Sequence, residues 1–390
     1  MDSAAEIPPI DLPDADLADA ANLRLSTLER GPAALGTLGE VAVWAASVRG
    51  SNPPEPFSRI RCLAIAADHA LGRGTSAGAL ARIVDGSGAH AVLARIGGAT
   101  IRAIDVGIVG ATPRGADELP IRRGSGAVDR EDGLTGGEAE AAFALGRRIA
   151  DEEADSGADL LIPVAVGVDA EIPAVVCAAV LSGREPIWAL GFDATLPDAE
   201  WSRRCRIVRD ALRRTTTLSR DPFHILCTVG STDLAVIAGI LVQAAVRHTP
   251  VLIGGDVAAT AAQLASDISG QAQAWWLAPQ RSGTSTERVA LEALSLEPIS
   301  PLELRLGEGC GALAAVPVLR TAVEIFTELS TDPAAGAEMP SGAEMPSGAE
   351  MPSDAGMPSD AEVPAPDPFL ASTADPLAAG TGEGVTPGDA

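Results

Sequence analysis

Between residues 25 and 330 the chain alternates two kinds of apolar pattern. Short unbroken runs of strand length cover Arg61–Ala67, Thr100–Ile108, Asp159–Val166, Pro186–Gly191 and Pro250–Gly254. Longer stretches at helical spacing lie between them, at Ala77–Ile96, Thr135–Ser156, Ala174–Leu181, Glu200–Arg214 and Asp233–Arg247. Unbroken apolar runs suit strands buried on both faces, and the helices between them suit parallel crossovers. The pattern therefore predicts an α/β fold: a doubly wound, mostly parallel sheet with helices on both faces. Ligands of such sheets sit beyond the carboxyl ends of the strands. That draws attention to Asp68-His69 after the first run, Asp105 within the second and Asp193 after the fourth. An Asp at a strand end more commonly caps a helix or closes a turn, so these positions stay open.

Outside this middle the pattern changes. Residues 1–24 are acidic and interrupted by proline, which predicts a frayed arm. In residues 331–390 the hexapeptide Gly-Ala-Glu-Met-Pro-Ser recurs at 336–341, 342–347 and 348–353. Proline every six residues forbids helix and sheet, so the acidic Pro/Met tail is expected to be disordered. The formal charge of −25 sits largely in these ends, with eleven acids in the tail and six in the first twenty residues. The middle carries about −8, has no basic stripe and contains no Tyr, so nucleic-acid binding is not expected.

The apolar run Leu234–Val246 is too short for a bilayer and reads as a buried helix, so no membrane span is expected. The acidic N-terminus is the reverse of a secretory signal, and the expected location is the cytoplasm. Five cysteines are scattered without a CxxC pair, and no two of the four histidines have ligand spacing. Neither a disulfide framework nor a metal site is expected, and no cofactor is called for.

One stretch carries more chemistry than the rest. Arg305-Leu-Gly-Glu-Gly-Cys-Gly-Ala-Leu313 sets a single carboxylate among glycines just before a long apolar run. Glycines there let the backbone approach a ligand closely, and the acid stands at the start of a predicted helix. A polar residue between glycines is more often simply a turn.

Several strings together resemble the nicotinate-nucleotide–dimethylbenzimidazole phosphoribosyltransferases, which make the lower ligand of cobalamin. They are Leu35-Gly-Thr-Leu-Gly-Glu-Val-Ala-Val-Trp44, Ala66-Ala-Asp-His69, Arg122-Arg-Gly-Ser-Gly126 and Ile149-Ala-Asp-Glu-Glu-Ala-Asp-Ser-Gly-Ala-Asp-Leu-Leu161. Ala189-Leu-Gly-Phe192, Ile207-Val-Arg-Asp-Ala-Leu212, Asp233-Leu-Ala-Val-Ile-Ala-Gly239 and Gln243-Ala-Ala-Val-Arg-His-Thr-Pro250 continue the match, and Arg305-Leu-Gly-Glu-Gly-Cys-Gly-Ala312 completes it. The resemblance runs from about Leu23 to about Leu329 and implies a small helical domain built from the chain ends, and a homodimer. It implies that the ribosyl 5′-phosphate of nicotinate mononucleotide passes to 5,6-dimethylbenzimidazole, with Glu308 as general base. Gly307, Gly309, Arg305, Gly167, Ser282, Gly283, Arg204, Gly124, Ser125, Gly126 and Asp68 are the implied substrate contacts.

The chain departs from that family where a phosphate should sit. The glycine-rich loop after the third strand reads here Val164-Ala-Val-Gly-Val-Asp-Ala-Glu-Ile172, in which only Gly167 survives. The second active-site acid is replaced by Ala165, and Asp169 and Glu171 enter where Gly and Thr are expected. Two acids facing a phosphate would repel it. The family's lysine is Arg204, and the benzimidazole-lining stretch shrinks to Gly72–Gly78. An alternative follows: a catalytically silent relative that serves as a binding or regulatory subunit, even as a heteromer with an active paralogue.

Overall fold

The structure is a computed structural model, and it describes residues 7–28, 32–71, 74–192, 196–216, 219–281 and 283–329. The expected disordered tail, 331–390, lies outside the described residues, as do Ser282 and Asp193.

The chain opens with α1 (Ala15–Ser26) and α2 (Thr37–Arg49), followed by β1 (Ile60–Ala67). Then come α3 (Ala77–Val84), α4 (Ala89–Gly97), β2 (Thr100–Gly107) and the two-residue β3 (Asp117–Glu118). After α5 (Gly136–Asp155) and β4 (Leu160–Val166) the chain makes five helices before its next strand. They are α6 (Glu171–Ser182), α7 (Pro186–Leu190), α8 (Asp198–Arg214), α9 (Pro222–Val229) and α10 (Thr232–Val246). The remainder is β5 (Val251–Leu252), α11 (Asp256–Ile268), β6 (Trp276–Leu277), α12 (Ser285–Ala293) and α13 (Cys310–Glu328).

The six strands form one all-parallel sheet in the order β3-β2-β1-β4-β5-β6. β4 is buried along its whole length and β1 at every position but one, which is why both read as unbroken apolar runs. Right-handed crossovers leaving the centre in opposite directions put their helices on opposite faces, so the sheet is covered on both. The order reverses between β1 and β4, and that point locates the crevice in a doubly wound sheet. α5 and α10 pack against each other; Gly146 and Gly239 let their backbones meet, since a Cβ on either would lie 2.0–2.1 Å from a carbonyl oxygen of the other helix.

Three expectations need correction. Pro186–Gly191 is not a strand but α7, with Pro at its first turn and Gly191 closing it at φ +68°. The single helix expected over 77–96 is two, α3 and α4, parted where Gly86 takes φ +73°. The acidic N-terminal segment does not fray over its described residues. Asp14 caps α1 by accepting the Leu17 N–H at 3.0 Å, Asp16 favours the positive end of the helix, and Ile10 is buried.

α1, α2 and α13 make the small helical layer from the chain ends, with a core of its own around Leu25, Ala42, Ala46 and Phe326. Arg24 lies over the Phe326 ring and donates to the Phe326 and Thr327 carbonyls at the end of α13. α13 is long and apolar enough to cross a membrane by length and composition, which the sequence reading had not expected of any segment. Its apolar face, Leu313, Val316, Leu319 and Val323, is instead buried against α2 and α4.

Candidate active site

The Arg305–Gly309 loop returns to the carboxyl end of β4, beside the reversal point. Gly309 takes φ +70°, and a Cβ on it would lie 1.9 Å from Cγ1 of Val164 in β4. No other residue fits there. From the far side Gly255, at φ +98°, comes so close that a Cβ would sit 2.0 Å from Glu308 Oε2. The half-buried Glu308 thus stands between two bare backbones at the head of α11. Its Oε1 accepts the Asp256 N–H at 3.2 Å and its Oε2 the Val257 N–H at 3.3 Å. His90 on α4 holds the loop from behind: Nε2 lies 2.7 Å from the Glu308 carbonyl, so Nε2 must be the protonated nitrogen.

Glu308 is held well above the usual carboxylate range. Burial is the largest cause, and the charges of Asp256, Glu287 and Glu171 add to it, against the opposing Val257 N–H bond. Asp256 is itself pushed up to about 6, chiefly by burial, even though Thr284 Oγ1 donates to its Oδ1 at 2.5 Å and the Glu287 N–H at 3.1 Å. Burial also lowers His90. A raised carboxylate is the stronger base in its ionised form, which is what proton abstraction from a substrate needs. It opens on a cleft of about 330 Å³ whose walls include Gly167, Glu171, Arg204, Asp256, Gln280 and Arg305. A narrower recess adjoins it, walled by Phe192 and Trp201 in edge contact at 5.8 Å.

The acids of the loop after β4 do not confront this cleft unpaired. Arg203 Nη2 lies 2.9 Å from Asp169 Oδ1, and Arg204 Nη2 lies 2.7 Å from Glu171 Oε1. Glu200, one turn earlier on α8, accepts from both guanidiniums at 3.0–3.1 Å and fixes their direction. Asp169 and Glu171 are thus each paired with an arginine from α8, which lessens the repulsion expected of them, although Glu200 shares both guanidiniums and leaves the cluster one negative charge. Gly167 remains a close-approach position: a Cβ would meet the Ala67 carbonyl at 2.9 Å.

A family model described as phosphoribosyltransferase matches residues 10–337. The nicotinate-nucleotide–dimethylbenzimidazole phosphoribosyltransferase of Mycobacterium ulcerans is 42% identical over 337 residues, covering 84% of this chain and 94% of that protein. The protein of the same name from Mycobacterium tuberculosis is 40% identical over 343 residues, covering 84% and 93%. This chain belongs to the phosphoribosyltransferase family. A solved structure of the Thermus thermophilus nicotinate-nucleotide–dimethylbenzimidazole phosphoribosyltransferase is similar to it with a TM-score of 0.77 at 28% identity, over 84% of this chain and all of that one.

Of the residues that the family resemblance singled out, six line the cleft together: Gly167, Arg204, Arg305, Gly307, Glu308 and Gly309. Gly283 lies at its rim, where its carbonyl accepts from Arg305 at 2.6 Å. Ser282 is outside the described residues. Asp68, Gly124, Ser125 and Gly126 do not line the cleft and are absorbed into the fold. Asp68 spends both oxygens on backbone, accepting the Ser76 N–H at 2.5 Å and the Val109 N–H at 2.7 Å. Ser125 bonds the Asp68 carbonyl through its N–H and accepts the Thr232 N–H at 3.2 Å, while the Gly124 and Gly126 N–H groups go to Gly107 and Gly133. Beneath them lies a fully buried pair, His69 Nε2 and Asp233 Oδ2, 3.4 Å apart. Burial alone would lower His69, but the Asp233 carboxylate outweighs it and raises the imidazole; burial would raise Asp233, and His69 holds it down.

Sequence reasoning about this family member missed Asp256, Glu287, Thr284 and His90. A signal for Asp256 was present: Gly254-Gly255-Asp256 follows an apolar run and opens a helix, the arrangement that brings a backbone close to a ligand.

Proposed function

We propose that this phosphoribosyltransferase moves the ribosyl 5′-phosphate of nicotinate mononucleotide to 5,6-dimethylbenzimidazole, giving α-ribazole 5′-phosphate and nicotinate. The observation that carries the reading is Glu308, a carboxylate seated on the α11 N–H groups and kept proton-ready by burial and like charge. The unprotonated benzimidazole nitrogen attacks C1′ while the proton on the other ring nitrogen passes to Glu308. The C1′–N bond of the nucleotide breaks with its electron pair going to the pyridinium nitrogen, so nicotinate leaves without needing a proton. Arg305 stands at the cleft wall as the cation to meet the phosphate, with Arg204 behind it holding Glu171 and Glu200. The Phe192–Trp201 recess suits a planar ring. The silent reading rested on the lost glycine-rich loop as well as on Asp169 and Glu171 repelling the phosphate, and their pairing with Arg203 and Arg204 weakens the second of these grounds. Homodimeric assembly in the cytoplasm is part of the proposal on the family resemblance alone, and light scattering tests the dimer.

The test is nicotinate release from nicotinate mononucleotide, with and without 5,6-dimethylbenzimidazole, with the product resolved by chromatography. Benzimidazole-dependent release is expected. A folded protein that releases none overturns the reading.

A further inference from the structure

The loop that presents Glu308 is tied down at both ends. At its start Gln280, buried beside the cleft, holds Leu304 in both directions. Gln280 Oε1 accepts the Leu304 N–H at 3.1 Å, and Nε2 donates to the Leu304 carbonyl at 3.4 Å. At the other end the tie is His90, whose Nε2 donates to the carbonyl of Glu308 itself at 2.7 Å. Between these points the backbone has little stiffness of its own. Gly307 at φ +127° and Gly309 at φ +70° flank Glu308, and glycine leaves such positions free to turn. The Glu308 carboxylate rests on α11 through bonds of 3.2 and 3.3 Å, and the His90 bond is shorter than both. His90 can anchor the loop because its helix packs on the helix that the loop leads into. It lies in the first turn of α4, and a Cβ on Gly97 of α4 would lie 3.1 Å from Cβ of Val316 on α13. α13 begins at Cys310, two residues after Glu308. The imidazole thus closes a circuit from α4 to the loop, and from the loop through α13 back to α4.

We propose that His90 is a positioning residue for the Glu308 base: its Nε2–H fixes the peptide that follows Glu308 and so aims the carboxylate at the acceptor's N–H. The assignment rests on the transfer reading above. His90 takes no proton from the substrate, because the nitrogen that faces the loop already donates to a backbone carbonyl. Both the neutral ring protonated at Nε2 and the imidazolium carry that proton, so the tie holds whichever form is present. What His90 sets is where Glu308 stands when the substrate's proton arrives. A general base must come within about 2.6–3.2 Å of the atom that gives up the proton. A small drift of the loop therefore costs the chemical step, while Gly167 and Glu171 on the opposite wall of the cleft belong to other segments and keep their places.

The test is a change of reach. His90→Asn keeps a polar amide but stops one bond short of the Glu308 carbonyl, whereas His90→Gln places an amide N–H where Nε2 stands. His90→Asn should lower kcat for transfer from nicotinate mononucleotide about tenfold, with KM within about twofold of the parent. His90→Gln should recover most of that loss. Should His90→Asn not fold, His90→Leu, which has no donor, is read against His90→Gln in the same way. Equal kcat values in the short and long variants, or a loss confined to KM, overturn the proposal. Amide hydrogen exchange reads the tie without turnover: residues 303–309 should exchange faster in His90→Asn than in the parent and return towards the parental rate in His90→Gln. Unchanged exchange in His90→Asn overturns the proposal. A parent that transfers nothing while its variants show this exchange pattern contradicts the function and leaves the tie standing.

Discussion

Two polar pairs lie near the carboxyl ends of the central strands, one fully buried and one half-open to a cleft, and they are built on opposite logic. His69 and Asp233 join unlike charges 3.4 Å apart with both side chains fully buried. Glu308 and Asp256 crowd like charges at the head of α11, where burial and neighbouring acids hold both above the usual carboxylate range. The first pair is held by charge attraction across 3.4 Å, and its side chains reach neither the cleft nor solvent. The second is uncomfortable whenever both members are ionised, which is the condition under which a carboxylate takes a proton readily. Burial does not mark the candidate base, because the His69–Asp233 pair is the more buried of the two; charge frustration at a cleft wall does.

The comparison breaks most sharply at Glu308. Glu308→Gln should cut transfer by roughly 10²–10⁴ and leave the fold intact by circular dichroism; parental turnover would remove Glu308 from the role of base. Next is Asp233→Asn, which strands His69 in the core and should cost about 3 kcal/mol in urea unfolding. The pH sign is defined here. His69 is raised in the folded state, so its contribution is present below pH 6.5 and fades as pH rises through its folded value. Asp233 is lowered, so its contribution is present above pH 3.8 and fades as pH falls. The pair therefore stabilises most between those values, and the variant should lose that maximum.

The other pair should answer with the opposite sign. Asp256 is raised to about 6, so its ionisation costs stability as pH rises through that value. Asp256→Asn should then stabilise the protein at pH 8 by about 1–3 kcal/mol and leave it unchanged at pH 4; a destabilised variant at pH 8 would mean that the carboxylate is not under charge stress. The smallest effect belongs to Arg203→Gln, which releases the Asp169 charge beside the cleft. It should weaken nucleotide binding by about 1 kcal/mol, read as a raised KM with kcat little changed.

Much of this was legible in the sequence, and the boundaries of legibility are physical. β1 and β4 are buried along nearly all their length, so their apolar runs announced them. Pro186–Gly191 carries an equally apolar run, but six residues cannot separate a strand from one helical turn, and Pro at its start tipped it to helix. β3, β5 and β6 have two residues each, too few to form a pattern on their own. Glu308 stood out because its glycines are local to it. Asp256 and Glu287 reach it from α11 and α12, and only the fold brings those helices together. Asp169 and Glu171 read as hostile to a phosphate because their partners, Arg203 and Arg204, lie on a different helix.

The loop that carries Glu308 also sets a timetable. Every described strand of the sheet is complete by Leu277, yet the carboxylate that would do the chemistry comes thirty-one residues later, seated on the head of α11 beside Gly309, which packs on Val164. On the ribosome, where folding proceeds as the chain emerges, a sheet with its crevice already shaped still lacks its base. On the transfer reading, the molecule lacks its base through most of its own synthesis, and a chain truncated before Arg305 should bear the crevice without the chemistry.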